Sequence, residues 1–193
     1  ALSHAIEGIM SLNCNPMVMA VALEAVSLIN VNLPLAYLNG SDIQARYNMC
    51  IAATLGGLSL NAGAVLGHSV AYTLDHFGAP HGLGCAIALP HVMKFNAIVI
   101  PEKMKRIARA LGLNDVNDPL QAASYAVDTV KRLNELLGIP ISLQSMGVEK
   151  EKIKELAEEC FTKYPRPNNP RKYSRDDLIK LYEDLWIGDL EIR

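Results

Sequence analysis

The sequence predicts an all-α, multi-helix bundle. Apolar residues recur at helical spacing along most of the chain. No stretch sustains the period-two alternation of a half-buried strand, and no repeat of fixed period divides the chain. The 193 residues, half of them hydrophobic, suffice for one core without disulfide or metal staples. A single helical domain over residues 1–193 is expected.

Each helix has a local reason. Leu2, Ile6 and Ile9 place a helix over residues 2–11, ended by the break from Asn13 to Pro16. Pro16 suits a helix start, and Val18, Val21, Ala22, Ala25, Val26 and Ile29 carry the helix over 16–30. Leu33-Pro34 then permits a kink or a fresh start. Asn39-Gly40-Ser41-Asp42 is a turn that also offers an N-cap. Residues 42–76 read as one long helix or two short ones, apolar nearly all round and so expected to be buried. After the loop Phe77-Gly78-Ala79-Pro80, helices are expected over 81–99 and, opened by Pro101, over 101–111. Gly112 to Pro119 is turn-rich, and an amphipathic helix over 119–137 ends at Gly138. Ile153, Leu156, Ala157 and Cys160 give the segment 149–163 one apolar face. Ser174 caps a last helix over 175–187.

Charge is spread unevenly. Of the 18 basic and 20 acidic residues, residues 1–100 hold only Glu7, Glu24, Asp42, Arg46, Asp75 and Lys94. Residues 1–100 are therefore expected to be inner helices that carry the site, and residues 101–193 charged outer helices. The net charge of −2 gives no basic surface for nucleic acid. Residues 50–74 carry no charge and are long enough to span a bilayer. They also hold Thr54, Asn61, His68 and Thr73 and lack flanking Lys or Arg clusters, so a soluble bundle is expected and no membrane. Cys14, Cys50, Cys85 and Cys160 lie far apart among apolar residues and read as reduced, buried thiols. With no visible signal peptide, this points to the cytoplasm.

All five histidines fall in the charge-poor half: His4, His68, His76, His81 and His91. A buried imidazole needs hydrogen-bond partners or a metal. His68 and Tyr72 are four apart, Asp75 and His76 follow within a turn, and His81 can fold back across the Pro80 loop. His4 has Glu7 three residues on. Neither H-E-x-x-H nor a close His–Cys pair is read here. From the residues alone, a buried histidine cluster that could take a divalent metal is the limit of the reading.

Ala1-Leu2-Ser3-His4-Ala5-Ile6-Glu7 resembles the D-A-L-x-H-A-I-E motif of the iron-dependent (group III) alcohol dehydrogenases. Residues 67–96, GHSVAYTLDHFGAPHGLGCAIALPHVMKFN, resemble the same family's second signature, H-x-x-x-H followed by P-H-G and L-P-H-V-x-x-x-N. Residues 15–38 and 168–186 also fit it. The likeness is to the family's C-terminal, all-helical, metal-binding domain, and it accounts for the lack of a Gly-rich phosphate loop.

The resemblance implies a metal, Fe2+ with Zn2+ or Mn2+ as alternatives, held by His4, His68 and His81. The family's aspartate ligand would fall one position ahead of Ala1. It implies NAD or NADP bound mainly by an N-terminal nucleotide-binding domain and a small alcohol or aldehyde substrate, with a homo-oligomer as a further partner. Tyr72 stands where the family commonly has a second histidine. Tyr72 and His76 are the catalytic candidates, for a proton path or a pocket wall, and His91 is read as structural. The His68–His81 spacing is one residue shorter than in the family, to be absorbed where that helix ends. The fragment alone is expected to be inactive. The rival reading is a non-catalytic or degenerate helical domain that binds a partner through its apolar half. A metal-free member of the superfamily is a third.

Overall fold

A computed structural model describes residues 1–114 and 118–192. Among these residues the chain forms nine α-helices and short 3-10 turns, with no strand. The expected connection from Gly112 to Pro119 falls partly at 115–117, outside the described residues.

Helix α1 (Leu2–Met10) is the central element, with Ile6, Ile9 and Met10 fully buried. It packs on α2 (Pro16–Leu38), α3 (Ile43–Ser59), α5 (His81–Ala97) and α6 (Pro101–Ala110). Helix α4 (Leu66–Leu74) lies against α5 and α8 (Ile153–Lys163). Helix α7 (Pro119–Leu136) covers α5 and α6, and α9 (Arg175–Ile187) covers α5 and α8. The expected caps form: Asp42 Oδ1 accepts from Ala45 N at 2.9 Å, and Ser174 and Asp177 build a capping box on α9.

One core cluster draws on both halves of the chain, joining Leu66, Ile87 and Met93 to Met104, Val127 and Tyr182. The charged helices are outer in a limited sense. Each lays one apolar face on the shared core and turns its charges to solvent.

Three expectations are corrected. Helix α2 does not stop near residue 30 but runs through Pro34 to Leu38, held along α3. Its packing there outweighs the lost amide donor of Pro34. Of the two readings left open for residues 42–76, the structure takes the two-helix one: a 3-10 turn (Leu60–Ala62) and Gly63 at φ +74° set α3 and α4 at 107°. The uncharged stretch 50–74 is buried only in its second part. Helix α3 leans on α2 and leaves Cys50, Ile51, Thr54 and Leu58 exposed, whereas α4 is buried on almost all sides. The thiols divide likewise: all four are free, but Cys50 is exposed and Cys14 half-buried, with only Cys85 and Cys160 buried.

The bend removes a single straight span from 50–74. Helix α2, by contrast, is long and apolar enough to cross a membrane, although it packs one face into the core.

Candidate metal centre

Three helices meet at the site. Helix α1 brings His4 and Glu7, α4 brings His68 and Tyr72, and the first turn of α5 brings His81 and Cys85. The turn between α4 and α5 is tight: a 3-10 turn (Asp75–Phe77), then Gly78 in the left-handed region at φ +70°, where a Cβ would be strained. This connection returns His81 to His68.

The rings form a chain. His4 stacks on His68 with centroids 5.1 Å apart, and the His81 edge meets His68 at 5.4 Å. Tyr72 stacks on His81 at 5.3 Å and touches Tyr164 at 5.0 Å, and Arg166 lies 5.7 Å from the Tyr72 ring. The three expected histidines and Tyr72 are therefore brought together. His76 is not in this chain of rings; it is exposed on the 3-10 turn, its Nε2 2.8 Å from Glu159 Oε2. Helix α4 has ended before it, so the shared helix face expected for His68, Tyr72 and His76 breaks at Leu74. His91 is buried deep in α5, as a structural residue would be.

Glu7 fixes His68. Its carboxylate is fully buried; Oε1 lies 2.7 Å from His68 Nδ1, and Oε2 accepts from Val65 N at 2.7 Å. Gly67 makes the approach possible, since a Cβ there would collide with the Glu7 carboxylate. With its Nδ1–H held by a carboxylate, His68 turns Nε2 toward the site. That nitrogen is buried and has no hydrogen-bond partner, in a residue only 5% exposed. A carboxylate–histidine pair of this kind is the usual support of a metal-ligating imidazole.

The donor set fits a divalent ion. One ligand atom each of His68, His81 and Cys85 lie within 4.8 Å of one another; His4 is not in that group but stacks on the His68 ring. Cys85 Sγ is 3.5 Å from His81 Nε2, one helical turn along α5. Imidazole and thiolate together suit zinc and iron.

The electrostatics separate the two stacked histidines. Burial chiefly, and then the neighbouring His68 and His81, push the His4 imidazole down from its ordinary value. Burial also opposes charge on His68, but the Cys85 and Glu7 side chains outweigh it and raise that imidazole to about 10. In the absence of metal, one ring is thus neutral and its neighbour charged.

Two residues at this site have roles that the sequence reading missed. Glu7 shows as the lone acid in a helix otherwise buried along most of its length, which is a legible sign of a buried pair. Cys85 is four residues from His81 on the helix expected from residue 81, so the expected absence of a close His–Cys pair is corrected.

The chain matches the family model described as Fe-containing alcohol dehydrogenase family, C-terminal, over residues 1–186. It is 36% identical over 190 residues to a 1,3-propanediol dehydrogenase of Citrobacter freundii, a match covering 96% of this chain and 49% of that protein. It is 35% identical over 192 residues to lactaldehyde reductase of Escherichia coli, covering 96% of this chain and 49% of that protein. Among solved structures, a 1,3-propanediol oxidoreductase superposes with a TM-score of 0.91 at 34% identity, over 96% of this chain and 49% of that one. An alcohol dehydrogenase from Oenococcus oeni superposes equally well at 31% identity, over the same shares. The chain spans about half the length of the relatives it matches. It belongs to the Fe-containing alcohol dehydrogenase family and corresponds to that family's C-terminal, helical domain.

Proposed function

We propose that this chain is the metal-binding, substrate-facing half of an NAD(P)-dependent alcohol or aldehyde oxidoreductase. The observation that carries the reading is His68: its Nδ1 is held by buried Glu7, and its Nε2 is unpaired beside His81 and Cys85. His4, His68 and His81 are the residues assigned to hold the metal, Fe2+ with Zn2+ or Mn2+ as alternatives. When bound, the metal would supply Lewis-acid polarisation of the substrate oxygen and the nicotinamide a hydride acceptor or donor.

The chain's own residues do the rest. Glu7 holds the His68 ring in one orientation, and the apolar wall of α4 and α5 buries His68, while His81 remains open to solvent. We assign Tyr72, flat against His81, the role of donating its hydroxyl proton to a substrate oxygen. His76, exposed beside Glu159, is placed to exchange protons with solvent.

The nicotinamide is assigned to an N-terminal nucleotide-binding half like that of the longer relatives. Ala1 lies against Gly56 toward the C-terminal end of α3, the helix whose outer face leaves Ile43, Tyr47 and Ile51 exposed. That face is where we place the partner half.

The test is oxidation of 1,3-propanediol or butanol with NAD and with NADP, by this chain alone and joined to a nucleotide-binding half. Turnover is expected only in the joined form. Turnover by the chain alone would overturn this division of labour. Neither turnover nor metal in the joined form would favour the non-catalytic, partner-binding reading.

A further inference from the structure

We infer that Arg166 is a specificity-determining residue that receives a carboxylate at the far end of the substrate, so that short hydroxy acids and their aldehydes are favoured over neutral alcohols. The inference rests on the function proposed above and names the substrate class of that site. Arg166 follows α8, and its side chain returns to the metal centre. Its Nε donates to the hydroxyl of Ser69, the residue after His68, at 2.9 Å. That hydroxyl donates in turn to Tyr164 O at 2.7 Å, and Arg166 N donates to Tyr173 Oη at 2.7 Å. The guanidinium lies 5.7 Å from the Tyr72 ring, within cation–π reach, and Tyr72 stacks on His81 at 5.3 Å. These two steps lead from a proposed metal ligand to a fixed cation, a span that a short carbon chain bridges.

The anchor uses Nε and leaves the two Nη groups, which accept a carboxylate in paired hydrogen bonds. Lys94 and Arg171, half-buried like Arg166, hold Asp184 and Asp177. Among the described residues, the ion pairs do not include Arg166, and the acids at the end of α8 are engaged elsewhere: Glu158 by Arg175, and Glu159 by His76 and Lys163. Half-buried against an aromatic ring, the guanidinium is more strongly attractive to an anion than it would be in open water. The carboxylate takes no part in hydride transfer. It anchors the tail while the hydroxyl end reaches the centre beside His81.

The chain joined to its nucleotide-binding half is assayed with NAD and NADP on 4-hydroxybutanoate, 1-butanol and 1-pentanol, beside Arg166→Met and Arg166→Lys. The readout is the ratio of kcat/KM for the acid to kcat/KM for the alcohols, in which the fraction of active enzyme cancels. The parent is expected to favour the acid. Arg166→Met should lower the ratio about ten- to a hundredfold, through KM for the acid, on the scale of a charge-assisted pair. Arg166→Lys, a point charge without the fork, should fall between. In the parent alone, pentanoate should compete with butanol about tenfold more strongly than pentanamide does. Equal inhibition by the two would overturn the inference even where a variant fails to fold. A parent that favours the neutral alcohols, or an unchanged ratio in Arg166→Met, would overturn it and leave the oxidoreductase reading standing. A rise confined to KM for NAD or NADP would place Arg166 on the cofactor and overturn it as well. No turnover of any of these substrates by the joined parent would overturn the inference together with the proposed function.

Discussion

Replacing Glu7 by Gln tests the support of the centre without touching a proposed ligand. Gln keeps the volume of the side chain and can still accept from Val65 N. It can no longer accept from both that amide and His68 Nδ1–H through charged oxygens. Breaking one side of a buried charged pair costs about 3–5 kcal/mol. Because the amide retains the Val65 bond, the loss should sit near the lower end, about 3 kcal/mol. The pH dependence has a definite sign. His68 is raised from 6.5 to about 10, against burial, by Cys85 and Glu7 together, so the Glu7 share of the pairing contributes fully below 6.5, where folded and unfolded His68 are both charged. The contribution is lost as pH rises through about 10 and the folded ring gives up its proton. The Glu7→Gln deficit should therefore be large at pH below 6.5 and shrink toward 10. Urea unfolding of the metal-free protein at those two extremes measures it. A deficit of the same size at both, or none at the lower pH, would refute the pairing. The variant should also bind metal about 10- to 100-fold more weakly, because an amide N–H facing Nδ1 drives the ring proton onto Nε2.

Two further predictions concern stability. Gly67→Ala puts a Cβ into the Glu7 carboxylate and should cost about 1–3 kcal/mol, read as a lower Tm, with weaker metal binding. An unchanged Tm would mean that the close approach of α4 to Glu7 is not tight. His91, pushed down to about 4 chiefly by burial, stays neutral in the fold where an exposed imidazole would charge. It faces Lys94, which lowers it further, and Asp184, Asp189 and the Ile141 backbone, which oppose the shift. The unfolded chain binds the extra proton between 6.5 and 4, so acidification across that window should remove up to about 3 kcal/mol of stability. His91→Leu should flatten that part of the pH profile in urea unfolding, and an unaltered slope would contradict it.

Much of the fold was legible because helical periodicity, Pro16, Pro101 and Ser174 mark elements whose burial and caps agree with their sequence. The break at 60–65 was not. Gly63, at φ +74°, permits it locally, but its place is held by distant partners: Asn168 Nδ2 donates to the carbonyls of Gly63 and Ala64, each at 3.1 Å, and Glu7 accepts from Val65 N. The exposure of α3 was also hidden, because its apolar outer face has the composition of a core helix. At the site, the motifs named His4, His68 and His81, and the fold brings their rings together. Glu7 was visible as a letter but not as a role, since it acquires His68 only when α4 returns to α1; Cys85 meets His81 within α5, a spacing that was open to view. His76 illustrates the converse. Its spacing from His68 suits one helix face, and a 3-10 turn takes it to Glu159 instead.

The most direct test is the metal content of the full protein, by elemental analysis, against His4→Ala, His68→Ala, His81→Ala and, as a control, His76→Ala. The geometry predicts stoichiometric iron or zinc in the parent and in His76→Ala, and a marked loss in each of the other three. Full metal retained in all three of those variants would contradict the centre assigned to these residues.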